Sequence, residues 1–331
     1  MPSAAPDGQQ VARFRQGLTR LLGAAGLTDD APLGIALSGG ADSLALLLLA
    51  AAHGPVQAMT VDHGLRGDSA AEAATAGAVA RSLGVPHGIA LVSVSGGGEG
   101  LQGEARRARY AALAEWAAAQ GLAAVLTAHH ADDQAETLLM RLSRGAGLSG
   151  LTGIRPARPL DPAQSGGPQL LRPLLGWRKA ELEAIVTAAG IEPARDPANA
   201  NPRFDRTAAR ALLADAGWLD TVRVARAADH LRDADEALRW LVDGLAAKAI
   251  EEVGAGGERE VSMPIQFPRE IQRRLVVRLL ADRFAKSPDG PAVERAMAAL
   301  DQRDIAPIAD LLARSDGARW YFRAAPPRRS A

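Results

Sequence analysis

The feature that most constrains the fold is the alternation of short apolar runs with longer helical patterns between about residues 32 and 145. "PLGIALS" (Pro32–Ser38), "VQAMTVDHG" (Val56–Gly64), "VPHGIALVSV" (Val85–Val94) and "LAAVLTAHH" (Leu122–His130) are runs of strand length. "SLALLLLAAAHG" (Ser43–Gly54), "SAAEAATAGAVARSLG" (Ser69–Gly84), "LQGEARRARYAALAEWAAAQG" (Leu101–Gly121) and "DDQAETLLMRLSRG" (Asp132–Gly145) follow them in turn, each helical in pattern and ending on glycine. Strands joined by crossover helices make a parallel sheet covered on both faces, so the pattern predicts a doubly wound α/β domain. Such sheets bind ligands beyond the carboxyl ends of their strands. Three polar clusters fall there, Ser38–Ser43, Asp62–Arg66 and His129–Glu136, and the fold would bring them to one edge.

A helix over Val11–Ala25, with Phe14, Leu18, Leu21 and Leu22 on one face, precedes the first strand. After Gly145 the order weakens. Ala157–Gln169 is rich in Pro and Gly and reads as an exposed loop, Leu170–Gly190 as a short strand and a helix, and Pro193–Leu213 as irregular, then helical. From about Asp220 two long helices, Thr221–Val253 and Pro268–Phe284, are followed by a strand and tail over Gly317–Arg329. The expected division is a catalytic domain over residues 1–217 and a smaller, mainly helical domain over 218–331.

Net charge is zero, but residues 141–180 carry 7 Lys/Arg against 1 Asp/Glu, whereas residues 1–140 carry 8 against 13. A basic stretch of that density can meet a polyanion, or form a solvated surface. The chain has no cysteine, which excludes disulfides, thiolate metal sites, iron–sulfur clusters and cysteine nucleophiles. "MPSAAPDGQQ" lacks the features of a signal peptide, and the longest apolar run, Leu44–Ala52, is too short to span a membrane. The expectation is a cytoplasmic protein with no membrane partner.

In "SGGADS" (Ser38–Ser43) two glycines allow a tight turn and close approach to a ligand, with the N–H groups of the turn and the next helix pointing outward. Ser38 and Ser43 add hydroxyls. Asp42 would repel a phosphate, so it either holds Mg²⁺ or caps the helix. No P-loop lysine is present.

This loop resembles the PP-loop of the N-type ATP pyrophosphatases, whose fold is adenine nucleotide alpha hydrolase-like. The resemblance implies that Ser38, Gly39, Gly40, Ala41, Asp42 and Ser43 bind ATP and hold the departing pyrophosphate while AMP passes to an oxygen. "TAHHADDQAETLLMRLSRGAGLSGLTGI" (Thr127–Ile154) resembles the H-H-x-D-D-Q-x-E-T and R-G-x-G-x-x-G-L blocks of the tRNA(Ile)-lysidine synthase family. "VDHGLRGDSAAEA" (Val61–Ala73), "EARRARYAAL" (Glu104–Leu113) and "LLRPLLGWRKAEL" (Leu170–Leu182) are similar to its further blocks, so the resemblance runs from about residue 33 to 213.

That family resemblance implies a ligase forming a carbon–nitrogen bond. It would adenylate C2 of the wobble cytidine in the CAU anticodon of isoleucine tRNA, and free L-lysine would then displace AMP to give lysidine. ATP and Mg²⁺ are the implied cofactors, and a homodimer is the implied assembly. Asp133 and Glu136, three apart on a helix, would hold lysine, or form a capping box. Asp132 reads as a plain cap. Arg109 would lie near the phosphates or the adenylated intermediate; Arg106 is a weaker candidate for the same place, or a solvated helical residue. Asp62 and His63 would line the adenosine pocket, or cap a turn. Arg144, Gly145 and Gly147 would approach RNA backbone, or end the helix. The chain departs from the family's D-x-S-N and R-N pattern at "DPANANPRFDRT": Asp196 and Asn199 remain, Ala198 replaces Ser, and Arg206 precedes Thr207. Arg206 is still a candidate for catalysis or tRNA contact. The further C-terminal β domain of larger members is not seen. Cysteine-dependent tRNA thiolases are excluded, and amide-forming synthetases lack the R-G-x-G-x-x-G-L block.

Overall fold

The computed structural model describes residues 5–64, 69–93, 101–194, 205–254 and 259–326. Arg66, Asp196, Ala198 and Asn199 lie outside them. Two compact units divide the chain at Arg232/Asp233. The first contains, in order, α1 (Gly8–Ala24), β1 (Leu33–Ala36), α2 (Ala41–His53), β2 (Gln57–Asp62), α3 (Ser69–Ser82), β3 (His87–Leu91), α4 (Leu101–Ala119), β4 (Ala124–Leu126), α5 (Ala131–Ser143), α6 (Leu148–Leu151), β5 (Ala157–Pro159), β6 (Gln169–Leu171), α7 (Lys179–Ala188), α8 (Asp205–Asp215) and the start of α9 (Thr221–Ala249).

The sheet order is β3-β2-β1-β4-β6-β5. All pairings are parallel except β5 with β6, which is antiparallel. The doubly wound expectation holds, with one difference. β5 lies in the stretch read as a loop, because a three-residue edge strand carries too little periodicity to register.

The central strands are buried on both faces, which is why they read as apolar runs. Leu33, Ile35, Ala124 and Leu126 point into a core with Phe14, Leu18 and Leu22 of α1, most of α2, and Leu182, Ile185 and Val186 of α7. On the opposite face Val125 and Leu170 pack with Leu113, Ala114 and Ala117 of α4. Gly34 permits that second contact: a Cβ there would fall 2.5 Å from the Trp116 ring and 2.6 Å from Leu122.

The second unit holds the rest of α9, β7 (Glu251–Glu252), β8 (Glu260–Pro264), α10 (Arg269–Phe284), α11 (Gly290–Asp301), β9 (Ala306–Ile308), β10 (Leu311–Ser315) and β11 (Arg319–Ala324). The two long helices are present. Patterning also missed α11 and most of an antiparallel sheet ordered β7-β8-β11-β10-β9. Trp320 and Phe322 of β11 pack there against Leu275, Leu279 and Leu280 of α10. The division does not coincide with residue 217. A change of composition marks where α9 begins, whereas the packing partners change partway along it. No helix among the described residues is long and apolar enough to cross a membrane.

Replacing Gly34 by Val should force α4 off β1 and lower the stability of the first unit by about 1–3 kcal/mol, the usual cost of overpacking. Urea unfolding followed by tryptophan fluorescence measures this. An unchanged midpoint would mean that α4 does not rest on β1 at Gly34.

Candidate active site

The site is built on the carboxyl ends of β1, β2, β4 and β6. After β1 the chain turns through Ser38, Gly39 and Gly40 into α2. Gly39 has φ +83°, a conformation that side chains rarely adopt. Gly40 is the N-cap of α2 at φ −73°, with no side chain capping the helix. A Cβ on Gly40 would meet only Ser38 Oγ at 3.8 Å, so packing within the chain does not demand glycine there. Glycine at that position leaves the loop backbone open to a ligand.

The loop organises itself through Ser43. Its hydroxyl donates to the Gly40 carbonyl at 3.0 Å and accepts from Ser38 N at 3.2 Å and Ser38 Oγ at 3.1 Å. Ser43 is buried, so it shapes the turn, and the free donors are the backbone N–H groups at the start of α2. Asp42 stands in the first turn of α2 and does not cap it. Its Oδ1 is buried with no hydrogen-bond partner among the described residues. That unpaired carboxylate oxygen beside a phosphate-type loop fits a divalent cation. Among the described residues no three or more His, Cys, Asp or Glu side chains form a metal site. Asp42 with substrate phosphates is therefore the donor set that fits, as is usual for Mg²⁺.

His130, after β4, joins the first polar cluster to the third. It is the N-cap of α5 and 4% exposed. Its Nε2 lies 3.5 Å from both Asp42 Oδ2 and Asp133 Oδ2, and its Nδ1 lies 3.5 Å from Asp132 Oδ2. Burial opposes charging this ring. The surrounding carboxylates of Asp132, Asp42 and Asp133 outweigh burial and push its pKa up to about 10. His129 behaves in the opposite way. Burial first, then the charges of Arg172, Arg106, Arg206 and His130, push its pKa down to about 3.

The acidic residues of α5 take different partners from those the sequence implied. Asp133 is the third helical residue and accepts from the His130 backbone N at 3.1 Å, so it belongs to a cap that starts three residues earlier than the expected Asp-x-x-Glu box. Asp132 reaches instead to α7, accepting from Lys179 N at 2.8 Å. Asp133 and Glu136 do face one group, as their spacing predicts, and in this structure it is Arg206 of α8. Arg206 Nε is 2.7 Å from Glu136 Oε2, and its Nη2 is 3.0 Å from Asp133 Oδ1. Arg210, one turn on, donates through Nε to Glu136 Oε1 at 2.8 Å. Four carboxylates, of Asp42, Asp132, Asp133 and Glu136, thus gather around three cationic side chains, His130, Arg206 and Arg210.

Asp62 is buried at the end of β2 and accepts from Gly64 N at 2.9 Å. That bond and one from Ser69 hold its carboxyl below the usual range, which is the turn-capping geometry. Both ring nitrogens of His63 are buried without a partner among the described residues. Burial, then the nearby charge of Arg109, lowers the His63 pKa. Arg109 is on the exposed side of α4. Arg144, Gly145 and Gly147 lie on an exposed turn. Gly145, at φ +67°, donates to Leu142 O and so ends α5, and Gly147 is the N-cap of α6. His130 and Arg210 were not singled out as site residues. His130 stands in the H-H-x-D-D block, and Arg210 follows Arg206 at helical spacing, which were the available signals.

In metal-free protein His130 should stay protonated at pH 8, as followed by NMR of its imidazole. Because its folded pKa is raised, the stability margin of the wild type over His130→Gln should be full below about pH 6.5 and shrink as pH rises toward 10. A ring titrating near pH 6.5 would refute this arrangement.

A family model described as a PP-loop domain matches residues 11–216. The tRNA(Ile)-lysidine synthase of Zymomonas mobilis is 43% identical over 301 residues, covering 90% of this chain and 90% of that protein. That of Novosphingobium aromaticivorans is 43% identical over 299 residues, covering 89% and 90%. That of Ruegeria pomeroyi is 40% identical over 302 residues, covering 88% and 70%. Among solved structures, the U34-tRNA thiolase of Methanococcus maripaludis with its [4Fe-4S] cluster superposes with a TM-score of 0.52 at 15% identity, over 67% of this chain and 80% of that one. This last likeness is one of fold alone. With the PP-loop domain matched over most of its length and such relatives matched nearly end to end, the chain belongs to the tRNA(Ile)-lysidine synthase family.

Proposed function

We propose that this enzyme uses ATP to join free L-lysine to C2 of the wobble cytidine in the CAU anticodon of isoleucine tRNA, giving lysidine, AMP and pyrophosphate. The observation that carries the reading is the joining, through His130, of the Ser38–Ser43 loop to the carboxylates of α5. A phosphate cradle and an ammonium-binding set then share one edge of the sheet. In the first step the cytidine O2 attacks the α-phosphorus and the bond to the β-phosphate oxygen breaks. In the second the lysine ammonium first gives up a proton to the surrounding carboxylates and water, its ε-nitrogen then attacks C2, the C2–O bond breaks with departure of AMP, and the nitrogen passes a further proton to water.

The loop from Ser38 to Ser43 receives the departing pyrophosphate on backbone N–H groups. Asp42 holds Mg²⁺, which supplies charge neutralisation at the phosphates when bound. Asp62 sets the turn that carries His63 to the adenosine, and Arg109 answers charge at the adenylated intermediate. Asp133 and Glu136 take the lysine ammonium in competition with Arg206, whose release leaves its guanidinium free to act at the reacting centre. The exposed Arg144–Gly147 turn and the arginine-bearing 218–331 segment supply contacts to the tRNA.

Mass spectrometry of CAU-anticodon tRNA after incubation with ATP, Mg²⁺ and lysine tests the reaction. AMP release should require that tRNA, and lysine-dependent turnover without it would refute the assignment. Asp42→Ala should abolish adenylation. Asp133→Ala should raise the KM for lysine by about 10- to 100-fold, the loss of one charge-assisted hydrogen bond, while the KM for ATP stays put. An unchanged lysine KM would remove Asp133 from that role.

A further inference from the structure

A second cationic cluster lies on the same edge of the sheet and is not used by the steps above. β6 ends at Leu171, so Arg172 follows its carboxyl end and shares a face with Leu170 two residues earlier. Arg158 of β5 stands directly opposite Leu170 in the ladder, which puts it on that face too. Leu170 packs toward α4, so both arginines face the helix that carries Arg106 and Tyr110. The guanidinium of Arg158 lies 4.7 Å from the centre of the Tyr110 ring and that of Arg106 5.1 Å. Arg172 lies close enough to Tyr110 for its charge to favour the ionised phenol.

Among the described residues none of the three arginines forms an ion pair with a carboxylate. Arg172 is 4% exposed, and its Nη1 donates to Arg155 O at 2.5 Å. Its buried Nε has no partner among the described residues. A buried guanidinium with an unused donor is costly unless a ligand supplies an acceptor. Neutral His129 borders the cluster, in reach of both arginine charges, and so adds no cation of its own.

We propose that Arg106, Arg158 and Arg172, arranged around Tyr110, receive a backbone phosphodiester of the RNA substrate next to the reacting nucleotide. Guanidinium forks suit phosphate oxygens, and the Tyr110 ring pre-orients two of them. The position favours RNA over ATP. β6 is two strands from β1, roughly 9.5 Å at ordinary spacing, on the side away from β2 with Asp62 and His63. ATP seated on the loop and extending toward β2 leaves this side for the acceptor. The inference rests on the proposed acceptor being RNA.

The test measures the Kd of a CAU anticodon stem–loop RNA across a salt series, and of a non-hydrolysable ATP analogue with Mg²⁺, for wild type, Arg106→Gln and Arg158→Gln. Arg106 is exposed, so its variant probes the site without disturbing a buried contact. Each variant should weaken RNA binding about ten-fold and lower the slope of log Kd against log salt by about one, with the analogue's Kd unchanged. Arg158→Lys should restore the salt slope but not the full affinity, because it keeps the charge and loses the fork. RNA binding and slope equal to wild type would overturn the proposal. So would weakened analogue binding with intact RNA affinity, which would give the cluster to the nucleotide. Wild-type protein that binds the RNA but makes no lysidine would instead refute the reaction and leave this site testable.

Discussion

The arrangement of the site depends on one buried imidazolium. His130 sits among Asp42, Asp132 and Asp133, which belong to two helices and are anchored in different ways. Asp42 comes with the glycine loop, Asp133 with the cap of α5, and Asp132 also binds the first N–H of α7. A flat ring with a donor at each end can face carboxylates on two sides while its small volume stays buried. Without that charge the carboxylates would repel one another across the loop. The same charge explains why two adjacent histidines differ so widely: His130 faces carboxylates, whereas His129 faces arginines.

The rest of the site divides its polar groups between building and binding. Ser43 is fully engaged in shaping the turn, Asp132 in starting α7, Asp62 in closing the turn after β2, and Gly145 in ending α5. The side-chain atoms without a partner among the described residues there are one oxygen of Asp42, both nitrogens of His63, Nδ1 of His130 and one nitrogen of Arg172. They follow the carboxyl ends of β1, β2, β4 and β6. The α8 arginines close over the carboxylates of Asp133 and Glu136, so both acids are paired with cations in this structure.

The strand–helix alternation made the first unit legible because central parallel strands are buried on both faces and read as unbroken apolar runs. The second unit was less so. Its strands are short and antiparallel, and its helices carry arginines bonded to buried acids such as Asp235. Patterning therefore found two of its helices and one strand, and missed most of the sheet. Among the functional groups, the glycine loop and the Asp133/Glu136 pair were readable from local spacing. Arg210, Arg158 and Arg172 were not, because the groups they contact lie far away in the chain.

By itself the sequence determined the class of fold, the phosphate loop, the acids of α5 and, through family resemblance, the reaction to expect. These rest on contiguous residues, where spacing alone sets which groups share a face. Only the tertiary structure decided which partner each charge would take. It gave His130 three carboxylates, Arg206 and Arg210 the acids of α5, and Arg172 no acid at all among the described residues. The physical reason is that a titratable group's charge is set by burial and by neighbours within a few ångströms. In a doubly wound sheet those neighbours come from strands and helices tens of residues apart.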